Sequence, residues 1–417
     1  MIEDKPSRDL VDVFLLLASM GALSLGLSGS CIFLSLQLFT SVAGVEMDGL
    51  IDPFTPLSLI VLSLSAIPST LVSIRALRGQ RIQFQNPSSP NLLWAFILLP
   101  IALFVGGLTI GQNLQPDPLG PFAHIASAII PVLVAVVLVH RHGPLVSQRR
   151  FWGQLLIGVW VIPMMAVVIE TVLMITGIVV IIVGMLGTPA GEALLEAATN
   201  PEVWSTPAFS ENILTFFEQP LILMLFLGFI VILVPVLEEL LKTLTIWPLF
   251  RRRLTSAEAF LSGVLAGAGF ALVEALFLSP PGPEWMQTMI ARTGATAMHT
   301  FTAGLTCWGI GQFLKSRRWK RFLASFLTAV LMHGLWNVAA IAVAIATLQG
   351  QSSEFTMPEF VASMISTIGI IILIVLTTIA VLGLFEIPRR LKHAQDLSSV
   401  TADTDRLQVS GQAGKGI

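Results

Sequence analysis

Charge is scarce in this sequence. Asp, Glu, Lys and Arg make up 12% of its 417 residues, about half the share of roughly 25% usual in soluble domains. Hydrophobic residues make up 54%, and the mean hydropathy is +0.84. This balance excludes an ordinary water-soluble domain and places the chain in lipid. Excess positive charge is also missing. The formal net charge of −2 removes bulk electrostatic attraction to nucleic acid. Cysteine is limited to Cys31 and Cys307, both within apolar stretches. They read as small buried hydrophobes, and the four-Cys spacing of a structural zinc site is absent. There is no HExxH motif, no internal repeat and no low-complexity tract. Nor is there a cleavable signal peptide: the first apolar run is too long and lacks a small-residue cleavage site, so it is expected to stay as an anchor.

What the chain does have is long apolar runs. Crossing about 30 Å of hydrocarbon takes about 20 apolar residues. Ten such runs lie near residues 13–40, 54–74, 91–112, 121–140, 155–186, 220–241, 257–278, 288–313, 322–347 and 361–386. The gaps between them alternate. Basic residues cluster at Lys5/Arg8, Arg75/Arg78/Arg81, Arg141/Arg149/Arg150, Arg251/Arg252/Arg253, Lys315–Arg321 and Arg389/Arg390/Lys392, while the intervening gaps hold none. The positive-inside rule then predicts an all-α bundle of about ten spans with both termini on the cytoplasmic side of a cell membrane. Runs 13–40 and 155–186 are long enough for two passes each. Splitting either alone would send Arg251–Arg253 outside, so each is expected to be one tilted pass.

The acidic gap 187–219 is expected to be a solvated outer loop with a short surface helix. Residues 1–215 read as a five-span region plus this loop, and 216–388 as the functional core. The polar segment 389–417 reads as a disordered cytoplasmic tail.

Four consecutive spans carry groups that lipid should exclude. They contain Glu238, Glu239 and Lys242; Phe270 and Glu274; Arg292 and His299; and His333, Trp336 and Asn337. At 1.5 Å per residue, Glu238, His299 and His333 lie roughly 18–24 Å from the nearest basic loop, in one middle layer. An ionisable group there costs about 2.5–3.5 kcal/mol even on insertion scales. Three glutamates and a lysine facing lipid would cost on the order of 10 kcal/mol, comparable to a whole domain's stability. They are therefore expected to face one another or water inside the bundle.

Helical spacing agrees. Glu238/Lys242, Phe270/Glu274 and His333/Asn337 are each i,i+4 and share a face. Glu238 and Glu239 diverge by about 100°, so one aims at the site while the other braces or orients. Gly263, Gly267 and Gly269 allow close helix approach. Three carboxylates against one ammonium call for an extra proton or a bound cation. Carboxylate, imidazole and water are the ingredients of general-base hydrolysis.

At these residues the sequence resembles the PrsW family of intramembrane proteases, a group related to the CAAX prenyl proteases and the bacteriocin-processing and immunity proteins. The resemblance rests on Glu238-Glu239-Leu240-Leu241-Lys242, Phe270 with Glu274, Arg292 with His299, and His333-Gly-Leu-Trp336-Asn337, over about residues 220–345. It implies peptide-bond hydrolysis in or at the edge of a bacterial membrane. The substrate class it implies is a membrane-anchored, single-pass protein of the anti-sigma-factor type. Carried over by position, Glu238 assisted by Glu239 would be the general base and His299 would polarise or share its proton. His333 and Asn337 would hold the oxyanion. The CAAX relatives have His where this chain has Glu274, which argues against a prenylated substrate.

The favoured reading is metal-free. The alternative is zinc on Glu274, His299 and His333, since two imidazoles and a carboxylate suffice as protein ligands. Other classes remain in play. Buried acids and imidazoles also build proton relays in transporters, but no inverted repeat is visible. A non-catalytic scaffold or immunity protein would need the cluster only as an ion pair and helix–helix glue. Trp336 and Phe270 read as packing groups, Arg292 as near the outer interface, and Glu170 as a lone intramembrane acid without a sequence partner.

Overall fold

In hydrocarbon no water can satisfy the backbone, so each apolar run must close its own hydrogen bonds as a helix. The structure, a computed structural model, describes residues 10–43, 54–80, 91–112, 119–144, 146–188, 191–192, 195–196, 199–200, 219–249, 254–279, 281–349 and 358–413. Every regular element among them is helical. In chain order these are α1 (Leu10–Ala43), α2 (Thr55–Ser65), α3 (Ile67–Leu77), α4 (Leu93–Thr109), α5 (Gly120–His142), α6 (Gln148–Leu156) and α7 (Ile162–Gly184). There follow α8 (Pro220–Gly228), α9 (Val234–Lys242), α10 (Ser256–Phe277), α11 (Trp285–Ser316), α12 (Trp319–Gln349) and α13 (Glu359–Ala413).

All ten expected spans are helical, and eight are long and apolar enough to cross a bilayer. The other two are α4, a shorter apolar helix, and α11, which has 32 residues but is rich in Thr and Gly. The runs 13–40 and 155–186 each form one pass, as expected. The second joins α6 to α7 through a π turn at Ile157–Val161, and a matching π turn at Phe229–Leu233 joins α8 to α9. A proline follows each turn, Pro163 and Pro235. A missing N–H is a common cause of such ladder defects.

The segments expected on the basic side meet at one end of the bundle. Arg149 Nε is 2.8 Å from Asp12 Oδ1 at the start of α1. Arg150 Nη1 is 2.6 Å from Glu258 Oε1 in the first turn of α10, where Thr255 and Glu258 form a capping box. Gln312 near the end of α11 donates to Ser256 Oγ. At the opposite end, Trp285 Nε1 donates to His124 Nδ1 at 3.1 Å, so His124 Nε2–H donates to the Leu276 carbonyl, also at 3.1 Å. Phe54 stacks on that imidazole. His124 is thus a packing group. A Cβ at Gly106 would overlap the Trp285 ring, so only glycine admits the indole.

α10 is the most buried of these spans, and its glycines explain why. A Cβ at Gly263 or Gly267 would collide with the Ala303 or His299 carbonyl of α11, and one at Gly269 would meet Gly158 in the first π turn. α10 is therefore clamped between α11 and the α6–α7 break. Cys307 is buried beside it, whereas Cys31 is exposed on α1, not buried as expected. An apolar thiol on a lipid-facing helix needs no burial in protein.

Backbone helix continues through 389 to Ala413, where a disordered tail was expected. The Glu386–Arg390 pair, 2.6 Å apart at i,i+4, supports that continuation. Most of the gap 187–219 and all of Arg251, Arg252 and Arg253 lie outside the described residues.

Candidate active site

α9 presents Glu238, Glu239 and Lys242 inward, all buried. An ammonium has three donors and no acceptor, and here all three are engaged. Lys242 Nζ lies 3.1 Å from Glu238 Oε2, 2.9 Å from Glu239 Oε1 and 2.9 Å from His299 Nδ1. The Phe270 ring lies on another side, 4.5 Å from the nitrogen. Because the ammonium can only donate, His299 Nδ1 accepts and the ring proton is assigned to Nε2. That nitrogen sits 2.7 Å from Glu274 Oε2, and Glu274 is followed by Arg292 Nη1 at 3.7 Å. The ordered chain Lys242–His299–Glu274–Arg292 ties α9, α11 and α10 together.

The two adjacent glutamates part ways, as their angular separation requires. Glu239 is fully buried. Its Oε1 takes Lys242, the Thr302 hydroxyl at 3.0 Å and His333 Nδ1 at 3.2 Å. Glu238 is 5% exposed and lines a cavity. A carboxylate accepts, so His333 Nδ1 carries a proton towards Glu239. His333 Nε2 then points back to within 3.8 Å of Glu238 Oε2. The rings of His299 and His333 meet edge to face, 4.7 Å between centroids. Thr302 went unremarked in the sequence. The signal was available, since it lies three residues after His299 on the same helix face.

Asn337 departs from expectation. The π register pairs the Val234 N–H with the Phe229 carbonyl, five residues back. Pro235 is next in that register and has no N–H, leaving the Ile230 carbonyl without its backbone donor. Asn337 Nδ2 supplies that donor at 3.0 Å. Gly334, one turn earlier on α12, brings its Cα against the Val231 carbonyl, where a side chain would not fit. The amide expected to hold an oxyanion thus spends one of its two N–H groups at the break in the helix that carries Glu238. Trp336 and Phe270 are buried packing groups, as expected.

A cavity of about 690 Å³ opens from this cluster. Glu238 and His333 line its inner end. Gln287 and Thr288 on α11 and Thr347 on α12 line the end remote from the basic loops. Glu274, Arg292 and Asn337 contribute to the wall, and so does Glu170 of α7.

Among the described residues, the group whose ligand atoms all lie within 4.8 Å of one another is Glu238, His299 and His333. This corrects the set expected from sequence, with Glu238 in place of Glu274. Glu274 instead reaches the far nitrogen of His299, Nε2, at 2.7 Å. The donors fit zinc in kind. Glu238 Oε2 is 3.9 Å from His299 Nδ1 and 3.8 Å from His333 Nε2, a few tenths above the ~3.4 Å that bonds of about 2.0–2.2 Å would set. Lys242 Nζ touches two of the same donors, so ammonium and divalent ion compete for this spot.

No match was found among curated proteins or among solved structures. The family described as PrsW family intramembrane metalloprotease matches residues 147–377, more than half of the chain. The match is wider than the motif-bearing stretch 220–345 and takes in α6 and α7, which the sequence motifs did not mark. It also spans every residue of the buried cluster: the chain belongs to the PrsW family of intramembrane proteases.

Proposed function

We propose that the protein is an endopeptidase that cleaves a single-pass, membrane-anchored protein with water activated by Glu238. The observation that carries this reading is the pairing of Glu238 Oε2 with His333 Nε2, 3.8 Å apart, at the inner end of a cavity reaching the opposite side of the bundle. Glu238 removes a proton from a cavity water, and the hydroxide oxygen bonds to the scissile carbonyl carbon. Glu238 later returns that proton to the leaving amine as the C–N bond breaks. His333, in the form with a proton on each ring nitrogen, keeps Nδ1–H on Glu239 and donates from Nε2 to the oxyanion. Glu239, Lys242 and His299 position these groups and do not themselves meet the substrate.

Charge counting supports the assignment. Glu238, Glu239 and Glu274 face the fixed cations Lys242 and Arg292. The remaining negative charge is met by a proton on His333 or by a bound cation. A zinc ion would be held by Glu238, His299 and His333 and would supply Lewis acidity towards water or carbonyl, with Glu238 and His333 then serving as ligands in place of base and oxyanion donor. An anti-sigma factor is the substrate type that the motif resemblance suggests.

The test is membrane proteomics on cells carrying wild type, Glu238→Gln or His333→Ala. A single-pass protein that accumulates uncut in both variants identifies the substrate. Loss of general-base catalysis is expected to slow cleavage by roughly 10²–10⁴-fold. Undiminished cutting by Glu238→Gln would overturn the assignment.

A further inference from the structure

α7 carries one ionisable residue, Glu170, in an otherwise apolar run. Such a group is retained in a membrane span only where it meets water or a partner. Glu170 meets the same cavity as Glu238 and Glu274. Its Oε1 is buried and has no hydrogen-bond partner. The cations that could answer it are already engaged. Lys242 has spent its three donors, and Arg292 is held by Glu274 and the Leu278 carbonyl. The cavity wall therefore carries a carboxyl group whose buried Oε1 has no hydrogen-bond partner.

We propose that Glu170 is a specificity-determining residue that receives a basic side chain, Lys or Arg, of the substrate strand. Glu170 and Glu238 line the same cavity, so the basic residue lies on the strand that occupies this cavity, close to the scissile bond. The subsite rests on the protease reading for its purpose but not for its existence, and the experiment separates the two.

The probes are synthetic single-pass Leu/Ala peptides in phosphatidylcholine vesicles with the full-length protein. They carry Lys, norleucine or Glu at successive positions in the half of the span away from the basic loops. Binding is measured by fluorescence on the Glu238→Gln protein with and without Glu170→Gln, and cleavage on proteins with Glu238 intact. The Lys peptide is expected to bind and be cut roughly 10- to 100-fold better than norleucine at one position, and Glu170→Gln is expected to erase that difference while leaving the norleucine peptide unchanged. A Lys preference that survives Glu170→Gln, equal losses on both peptides, or no Lys preference at all would overturn the subsite. Lys-selective binding without any cleavage would leave the subsite standing and count against the hydrolase.

Discussion

Asn337 Nδ2 donates to the Ile230 carbonyl at 3.0 Å, taking the place of the N–H that Pro235 lacks. The contact sits about two turns from Glu238 on the broken helix, so its loss changes where the carboxylate points. Asn337→Ala leaves a buried carbonyl unsatisfied, which costs about 1–3 kcal/mol, and is expected to lower kcat more than it raises KM. Pro235→Ala restores a backbone donor to the same carbonyl. In the Pro235→Ala background, Asn337→Ala is therefore expected to cost less, with a coupling of about 1 kcal/mol in thermal unfolding of the detergent-solubilised protein. Additive losses would mean that the two residues do not share this carbonyl's deficit.

Lys242 is the hub of the charge network, and its removal is predicted to be severe. Without it, Glu238 and Glu239 would face each other's charge in a buried site. Breaking such a group from one side costs about 3–5 kcal/mol. Lys242→Met is expected to unfold or inactivate the protein. Lys242→Met combined with Glu239→Gln, which removes a charge of each sign, should recover part of the stability but none of the activity. Thermal unfolding of the three proteins side by side checks the order.

How far the site could be read from sequence depended on what set each side chain's direction. Glu238, Lys242, His299 and His333 were legible because mid-membrane charge must find a partner and helical spacing fixes the face. The division of labour between Glu238 and Glu239 followed from their angle, although which one faced the cavity did not. Thr302 and the Asn337–Ile230 bond were missed for different reasons. Thr302 had a positional signal, three residues after His299, but a threonine in an apolar helix carries no cost that demands explanation. The role of Asn337 depends on a π turn whose register cannot be read from the Pro235 codon alone. The exchange of Glu274 for Glu238 in the metal-capable group is a matter of which imidazole nitrogen faces which acid, and spacing along a helix does not determine that.

Metal binding gives a prediction that does not depend on turnover. Because the Lys242 ammonium contacts Glu238 and His299, it competes with any divalent ion for those donors. Lys242→Met with Glu239→Gln, which keeps the charge balance, is expected to bind zinc more tightly than wild type, and His333→Ala in that background to lose it. Metal content after dialysis against zinc, measured as ions per chain, reads this directly. Equal affinity in wild type and the double variant would show that ammonium and ion occupy separate places.

The close approach of α10 and α11 makes the last prediction the sharpest structural one. A Cβ at Gly267 would collide with the backbone carbonyl of His299, and a backbone atom on a packed helix cannot swing aside as a side chain can. Gly267→Ala must push α11 outward and carry His299 away from Lys242 and Glu274. Overpacking of this kind costs about 1–3 kcal/mol, and displacing the imidazole should reduce cleavage more than the stability loss alone explains. Gly177 on α7 provides the control, because a Cβ there meets nothing within 4 Å. Gly177→Ala is expected to leave cleavage intact and to be neutral or slightly stabilising, by up to about 1 kcal/mol. If Gly267→Ala retained full activity and stability, the two helices could not be in the contact that brings the acid and imidazole groups together.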